Sequence, residues 1–83
     1  MTEELIWERL TLVFCDVFDE TIAIGPATAA IDVEGWDSLS NIQLLVAIEQ
    51  AFSGVKFNTG EIASLRNVGE MVAIIRDRVR EHA

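Results

Sequence analysis

The chain has few of the residues from which metal and disulfide sites are built. It contains one cysteine, Cys15, and one histidine, His82, close to its C-terminal end. A single cysteine cannot form an internal disulfide, and these two residues provide no metal-ligand spacing. Cys15 lies inside a helical pattern, where a small buried or half-buried side chain is a more common role than a reactive thiol. The sequence therefore predicts neither a disulfide nor a metal site.

Long apolar runs are also absent. The longest purely apolar stretches fall far short of the roughly 20 residues that a membrane-spanning helix needs. The N-terminal residues Thr2-Glu3-Glu4 are unlike the basic and then apolar segment of a secretion signal. We therefore expect a soluble, cytoplasmic protein without a membrane span.

Basic residues are scarce in the first part of the chain. Up to Asp37, nine acidic residues face a single base, Arg9, whereas five acids face five bases from Ser38 onward. The net charge of −8 therefore arises within the first 37 residues. Such a surface is a poor partner for nucleic acid or for an anionic membrane and a good one for a basic protein surface. The same charge also keeps a small apolar domain in solution.

The remaining pattern is helical. Hydrophobic residues form 51% of the 83 residues, which favours one small folded domain over disorder. Apolar spacing and capping residues predict three main helices and one short helix. The first helix runs from about Glu3 to Asp19, with Thr2 as its cap and Leu5 widening its apolar stripe. The second runs from about Ser38 to Phe52, is capped by Asp37 or Ser38 and stops at Ser53-Gly54. The third is capped by Thr59 and reaches about Leu65, and the last begins at Asn67, where Glu70 completes a capping box. The sequence thus predicts an all-α four-helix bundle that spans residues 1–83.

Residues 20–36 show no sustained period and are predicted to form a long loop between the first two main helices. Four apolar side chains are expected to attach this loop to the core: Ile22, Ile24, Ile31 and Val33. A long loop in so small a domain is unusual and tends to be functional or disordered. The apolar side chains favour a functional loop.

The second helix has more apolar surface than one neighbour can cover. On a helical wheel of about 100° per residue, Leu44, Leu45, Ile48 and Phe52 form a stripe that is expected to face the core. A second stripe lies roughly 140° away by the same geometry and consists of Leu39, Ile42 and Val46. Either the helix is central and buries both stripes, or the second stripe is a partly exposed patch that other proteins bind.

Ser38, at the start of this helix, has three possible roles. It can cap the helix, as serine often does. It can act as a nucleophile, but the single histidine is terminal and the G-x-S-x-G turn is absent, so this role is disfavoured. It can also be an attachment point, with a hydroxyl presented at the helix start for another enzyme to modify.

The amphipathic first helix and the long loop with apolar anchors are followed by Asp37-Ser38-Leu39, by the run from Leu44 to Phe52 and later by the run from Val68 to Ile75. With these features the chain resembles the acyl carrier proteins over nearly its whole length. The resemblance implies that a phosphopantetheinyl transferase moves a 4′-phosphopantetheine arm from coenzyme A to Ser38. The thiol of the arm would then hold acyl groups as thioesters, and the protein itself would not be an enzyme. A monomer is the expected state.

The same resemblance implies which residues meet partner enzymes, namely the transferase and an acyl ligase, synthase or acyltransferase. The expected partner-contact residues are Asp37, Leu39, Ile42, Val46 and Ile62. Asp37 is the acid that the family presents to the transferase. For Ile62, which matches a position beside the arm, a plain core role is an equally good interpretation.

The chain also departs from the familiar fatty-acid carriers. Ser40, Gln43, Gln50 and Ala51 stand where those proteins often have acids, so docking is expected to depend more on the apolar stripe than on charge. This favours a discrete, specialised carrier in a lipid, polyketide or related pathway. Trp36 is bulkier than the residue usually found there and is expected either to staple the loop to the second helix or to join the docking surface.

Two alternatives remain open at this stage. A D-alanyl or other aminoacyl carrier would have the same arm and fold. An unmodified acidic helical module would instead bind its partners through Leu39, Ile42 and Val46.

Overall fold

The computed structural model describes residues 2–52 and 55–81, with side chains as far as residue 79. The helices are α1 (Glu3–Phe18), α2 (Ser38–Ala51), α3 (Thr59–Ala63) and α4 (Val68–Glu81), and a short 3-10 helix (Ala30–Asp32) lies between α1 and α2. This confirms the predicted all-α fold of three main helices, one short helix and a long first loop. The predicted stop at Ser53-Gly54 and the position of His82 lie outside the described residues.

Helix α1 begins as the sequence predicts. The hydroxyl of Thr2 accepts a hydrogen bond from the backbone N–H of Leu5 at 3.2 Å. Glu3 and Glu4 in the first turn complement the positive end of the helix dipole. The side chain of Leu5, however, is 42% exposed. Leu5 therefore widens the apolar stripe of α1 toward solvent, because no helix among the described residues covers this edge of α1.

A single hydrophobic core joins the four helices and the connector before α3. Helix α1 packs against α2 and α4, and α2 packs against α3. The buried side chains are Ile6, Leu10, Val13 and Phe14 from α1; Leu44, Ile48 and Phe52 from α2 and its end; Val55 and Phe57 from the connector; Ile62 from α3; and Val68, Met71, Val72 and Ile75 from α4. The core-facing stripe predicted for the second helix is thus confirmed at Leu44, Ile48 and Phe52.

The loop between α1 and α2 is attached to the start of α4 by its backbone. The carbonyl of Thr28 accepts a hydrogen bond from the N–H of Val68 at 2.8 Å, and that of Pro26 accepts one from Gly69 at 3.1 Å. These are the first N–H groups of α4, which have no acceptor within their own helix. A Cβ atom at Gly69 would lie 2.8 Å from the Pro26 oxygen, so the close approach requires glycine.

Two of the four predicted apolar attachments of the loop are clear. Val33 is buried and Ile24 packs against the core. Ile22 is half-buried. Ile31 is 94% exposed, so its predicted role as an anchor is wrong. It lies in the 3-10 helix, where backbone hydrogen bonds such as that from Val33 N–H to the Ala30 carbonyl, at 3.2 Å, organise the chain without it.

The cap of α3 is Asn58, and the prediction of Thr59 is wrong by one residue. The Asn58 side chain accepts from the N–H of Glu61 at 2.8 Å, and the Glu61 carboxylate accepts from the N–H of Asn58 at 3.2 Å. This reciprocal pair is a capping box. Arg78 of α4 donates to the same carboxylate, and this hydrogen bond holds the pKa of Glu61 below its ordinary value. The ion pair ties the short α3 to α4.

Helix α4 begins at Val68, with Asn67 as its cap. The Asn67 side chain accepts from the N–H of Glu70 at 2.9 Å. The Glu70 carboxylate accepts from the N–H of Arg66 at 2.8 Å and not from that of Asn67. The predicted capping box is therefore half present, because the carboxylate reaches one residue further back along the chain.

Two of the leucines of α2, Leu39 and Leu44, provide a matched test of this packing. Leu44 is fully buried, whereas Leu39 is 65% exposed. We expect Leu44→Ala to lower the free energy of unfolding by about 2–5 kcal/mol, because it removes buried methyl groups and leaves a cavity. Leu39→Ala should change it by less than about 0.5 kcal/mol. Urea denaturation followed by circular dichroism measures both; equal losses would mean that α2 is rotated differently about its axis.

Candidate functional site

The start of α2 presents a serine hydroxyl to solvent. Asp37, in an extended conformation, caps the helix, and its carboxylate accepts from the backbone N–H of Ser40 at 3.0 Å. Of the two predicted capping residues, the structure thus selects Asp37. Ser38 is the first helical residue and is exposed, and its hydroxyl has no hydrogen-bond partner within residues 2–52 and 55–79. The hydroxyl is therefore accessible to another molecule.

The Asp37 carboxylate is held in its charged form. The hydrogen bond from the Ser40 backbone N–H is the main cause that lowers the pKa of Asp37 below its ordinary value of 3.8. The positive end of the α2 dipole favours the same form. A fixed negative charge therefore adjoins the Ser38 hydroxyl at neutral pH.

Ser40 fastens the end of the loop to the first turn of α2. Its side chain is buried, and its hydroxyl donates to the carbonyl of Gly35 at 2.6 Å. Gly35 has φ +86°, a left-handed conformation that glycine adopts without strain. In the sequence, Ser40 stands out only as a position where related carriers often have an acid. A short polar residue three positions after the cap is a signal that fits this role, but it does not identify the carbonyl that the hydroxyl reaches.

Trp36 joins the same loop end to α1 and α2. Its indole N–H donates to the side-chain oxygen of Asn41 in α2. Its ring packs edge-on against Phe14 of α1, with centroids 5.3 Å apart and an interplanar angle of 77°, and lies 6.2 Å from the ring of Phe18. Edge-to-face pairs are favourable arrangements of aromatic rings. Of the two interpretations of Trp36, these contacts support the staple.

A shallow depression of about 400 Å³ adjoins Ser38 between α2 and α3. Asn41 and Thr59 contribute polar groups to its lining, and Ile42 and Ala63 contribute apolar surface. A flexible chain that contains both amide and methylene groups matches such a mixed lining. The geometry thus offers an exposed hydroxyl beside a surface along which an attached group can lie.

The second stripe of α2 is exposed. Leu39, Ile42 and Val46 are 65%, 49% and 47% exposed, so the interpretation of a central helix that buries both stripes is wrong. We call these three residues the exposed stripe. Ile62 is 2% exposed and belongs to the core. Of its two interpretations the structure shows the core role, and the partner contact expected of Ile62 has almost no side-chain surface available to it.

The fold and the site define a small helical domain with an exposed serine at a helix start, and comparisons with known proteins identify its class. A family model described as a phosphopantetheine attachment site matches residues 8–75. The solution NMR structure of a holo acyl carrier protein from Geobacter metallireducens superimposes with a TM-score of 0.81. The two chains are 34% identical, and the match covers 92% of this chain and 87% of that one. No curated protein sequence matches the chain.

The chain belongs to the acyl carrier protein family, as its sequence predicts. Both matches support 4′-phosphopantetheine as its covalent cofactor, and the exposed hydroxyl beside a mixed depression fits such a group. Proteins of this type are carriers that exchange their cargo with transferases and synthases and are generally not catalytic themselves. Within the described part of the chain, no helix combines the length and apolarity needed to cross a membrane.

The charged cap predicts a specific pH dependence. A carboxyl whose pKa is lowered on folding contributes stability that is fully present above its unfolded pKa of 3.8 and is lost as the pH falls through the folded value. We expect Asp37→Asn to melt at a lower temperature than the wild type above about pH 5, with the difference shrinking below about pH 4. Thermal denaturation across this range measures it. A constant difference at every pH would show that the charge of Asp37 does not stabilise the helix.

Proposed function

We propose that Ser38 is the residue that receives 4′-phosphopantetheine and that the protein transports acyl thioesters between the enzymes of a specialised lipid, polyketide or related pathway. The observation that carries the proposal is the exposed Ser38 hydroxyl at the start of α2, which has no hydrogen-bond partner among the described residues. Ser38 also lies inside the segment that matches the attachment-site family. We propose further that the protein works in the cytoplasm and, as the resemblance implies, as a monomer.

Attachment needs only a nucleophile from this chain. The Ser38 oxygen forms a bond to the phosphorus that joins pantetheine to the nucleotide part of coenzyme A. The bond to the nucleotide breaks, the nucleotide leaves with the electron pair, and the serine proton passes to a base on the transferase. When attached, the group supplies a thiol for thioester formation. A flexible tether also raises the effective concentration of the cargo at each enzyme that the carrier visits.

The surroundings of Ser38 suit a transferase that approaches along α2. The exposed stripe begins at the next residue and extends along the helix, and Asp37 supplies a fixed negative charge beside it. Helix α2 itself contains a single acid, Glu49. We therefore propose that desolvation of the stripe provides most of the docking energy and that Asp37 and the loop acids orient the approach.

Two nearby serines of the same helix provide a matched test of the attachment site. Ser38 is exposed, whereas the Ser40 hydroxyl is buried and donates to Gly35. With coenzyme A and a broad-specificity phosphopantetheinyl transferase, wild type and Ser40→Ala should gain one phosphopantetheinyl group on Ser38, and Ser38→Ala should gain none. Intact mass and peptide mapping measure this. Ser40→Ala is expected to lose about 1 kcal/mol of stability, so circular dichroism must first show that each variant is folded.

The outcomes separate the candidate functions. If the Ser38→Ala variant still gained a phosphopantetheinyl group, another residue would be the attachment site. A folded wild-type protein that no transferase modifies would instead support the unmodified helical module that binds partners through the exposed stripe.

Docking along the stripe can be measured on the same reaction. The double variant Ile42→Ser and Val46→Ser replaces two exposed apolar side chains that the transferase would cover. The loss of these contacts should raise the KM of the transferase for the protein about tenfold, which corresponds to about 1.4 kcal/mol of binding free energy, with a smaller effect on kcat. Ile31→Ser is the control, since Ile31 is also exposed but lies in the loop. An equal effect of both variants would show that the stripe has no special role in docking.

A further inference from the structure

Helix α1 has an unpartnered apolar pair on the side opposite its core face. Leu12 is 66% exposed and Leu5 is 42% exposed. The two residues are seven positions apart, which is about two turns and 10.5 Å along the helix axis, so they lie on the same side. The buried residues of the helix, such as Leu10 and Val13, lie on its inner side. Burial in this domain therefore does not account for Leu5 and Leu12.

Leu12 borders two surface depressions. One lies along α1 and is lined by Leu5, Glu8, Arg9, Thr11 and Leu12. The other, of about 390 Å³, lies between α1 and the C-terminal half of α2 and is lined by Leu12, Asp16 and Gln50, among others. A partner helix can pack across Leu12, with its side chains filling the depressions on either side.

The charges around Leu12 are predominantly acidic. Glu8 and Asp16 are each four residues from Leu12, so both are its neighbours on the helix surface. The only base on α1, Arg9, donates to the carbonyl of Ala51 at 3.2 Å, which directs its charge toward the end of α2. Leu12 thus lies between two carboxylates, and Glu8 lies between the two leucines, so a cationic partner would complement the charge around the apolar pair.

We propose that Leu5, Glu8, Leu12 and Asp16 form a second docking surface, the α1 surface, for a basic amphipathic helix of a partner protein. Leucine-sized side chains at heptad spacing would cover Leu5 and Leu12, and lysine or arginine on either side would face Glu8 and Asp16. A second copy of this chain would bring acids against acids, so charge disfavours self-association through this surface. The proposal concerns residues remote in sequence from Ser38 and does not depend on its modification.

A peptide pair tests the proposal directly. The probe is a synthetic helical peptide with leucine at every seventh position and lysine beside each leucine, and its control has glutamate in place of lysine. Each is titrated into the ¹⁵N-labelled protein. The lysine peptide should shift amide signals between Leu5 and Asp16 and near Ala51, with weaker binding at higher salt. The glutamate peptide should not bind.

Three variants locate the contact. Leu12→Ser should weaken binding of the lysine peptide about tenfold, because a leucine anchor at a heptad position is lost. Glu8→Gln combined with Asp16→Asn should weaken it and reduce its dependence on salt. Ile31→Ser, which removes another exposed apolar side chain, should leave binding unchanged. All replaced side chains are exposed, and melting temperatures verify that the variants are folded.

Several results would overturn the proposal. They are the absence of binding, shifts concentrated on the exposed stripe, equal binding of the two peptides, or unchanged binding of Leu12→Ser. Concentration-dependent shifts of the same residues without peptide would assign the surface to a second copy of the chain and would equally overturn the basic-helix partner. The transferase reaction on Ser38 is measured separately, so a failure of peptide binding at the α1 surface leaves the attachment at Ser38 unaffected, and the reverse holds as well.

Discussion

The burial of one side of α2 is the constraint on which the rest of the site depends. Leu44 and Ile48 are fully buried, so the rotation of α2 about its axis is determined by the core. That rotation leaves the exposed stripe on the outside and places the first residue, Ser38, in solvent. The orientation of the functional surface is therefore a product of core packing, and a change in that packing would also alter the surface.

Much of the fold could be predicted because its determinants are local. Helical periodicity depends only on spacing along the chain, and caps such as Thr2 and Asp37 act within three residues. The two apolar stripes of α2 were also visible on a wheel. Which stripe is buried depends on neighbours that are distant in sequence, and the wheel could only favour the stripe that ends in the aromatic Phe52. The errors at the starts of α3 and α4 are one-residue shifts of the same local chemistry: Asn58 replaces Thr59 as the cap of α3, and the N–H of Arg66 replaces that of Asn67 as the donor to Glu70.

The parts that could not be predicted are tertiary. The hydroxyl of Ser40 reaches a carbonyl across the loop end, and the indole of Trp36 finds Asn41 and two rings of α1. These contacts require that the loop first return to the bundle, which composition does not reveal. At Ile31 the sequence predicts a core contact that does not form. An apolar side chain in a loop need not be buried when backbone hydrogen bonds hold the turn.

The backbone hydrogen bonds between the loop and α4 have a consequence for how this domain can be divided. The Pro26 and Thr28 carbonyls accept hydrogen bonds from the first turn of α4, some forty residues later in the chain. The Pro26 carbonyl can approach this closely because residue 69 is glycine. A chimera that exchanged only the loop and α2 with another carrier would risk leaving two donors of α4 without acceptors. The natural unit of exchange therefore includes the beginning of α4, and sequence changes in the two segments are coupled through these backbone contacts.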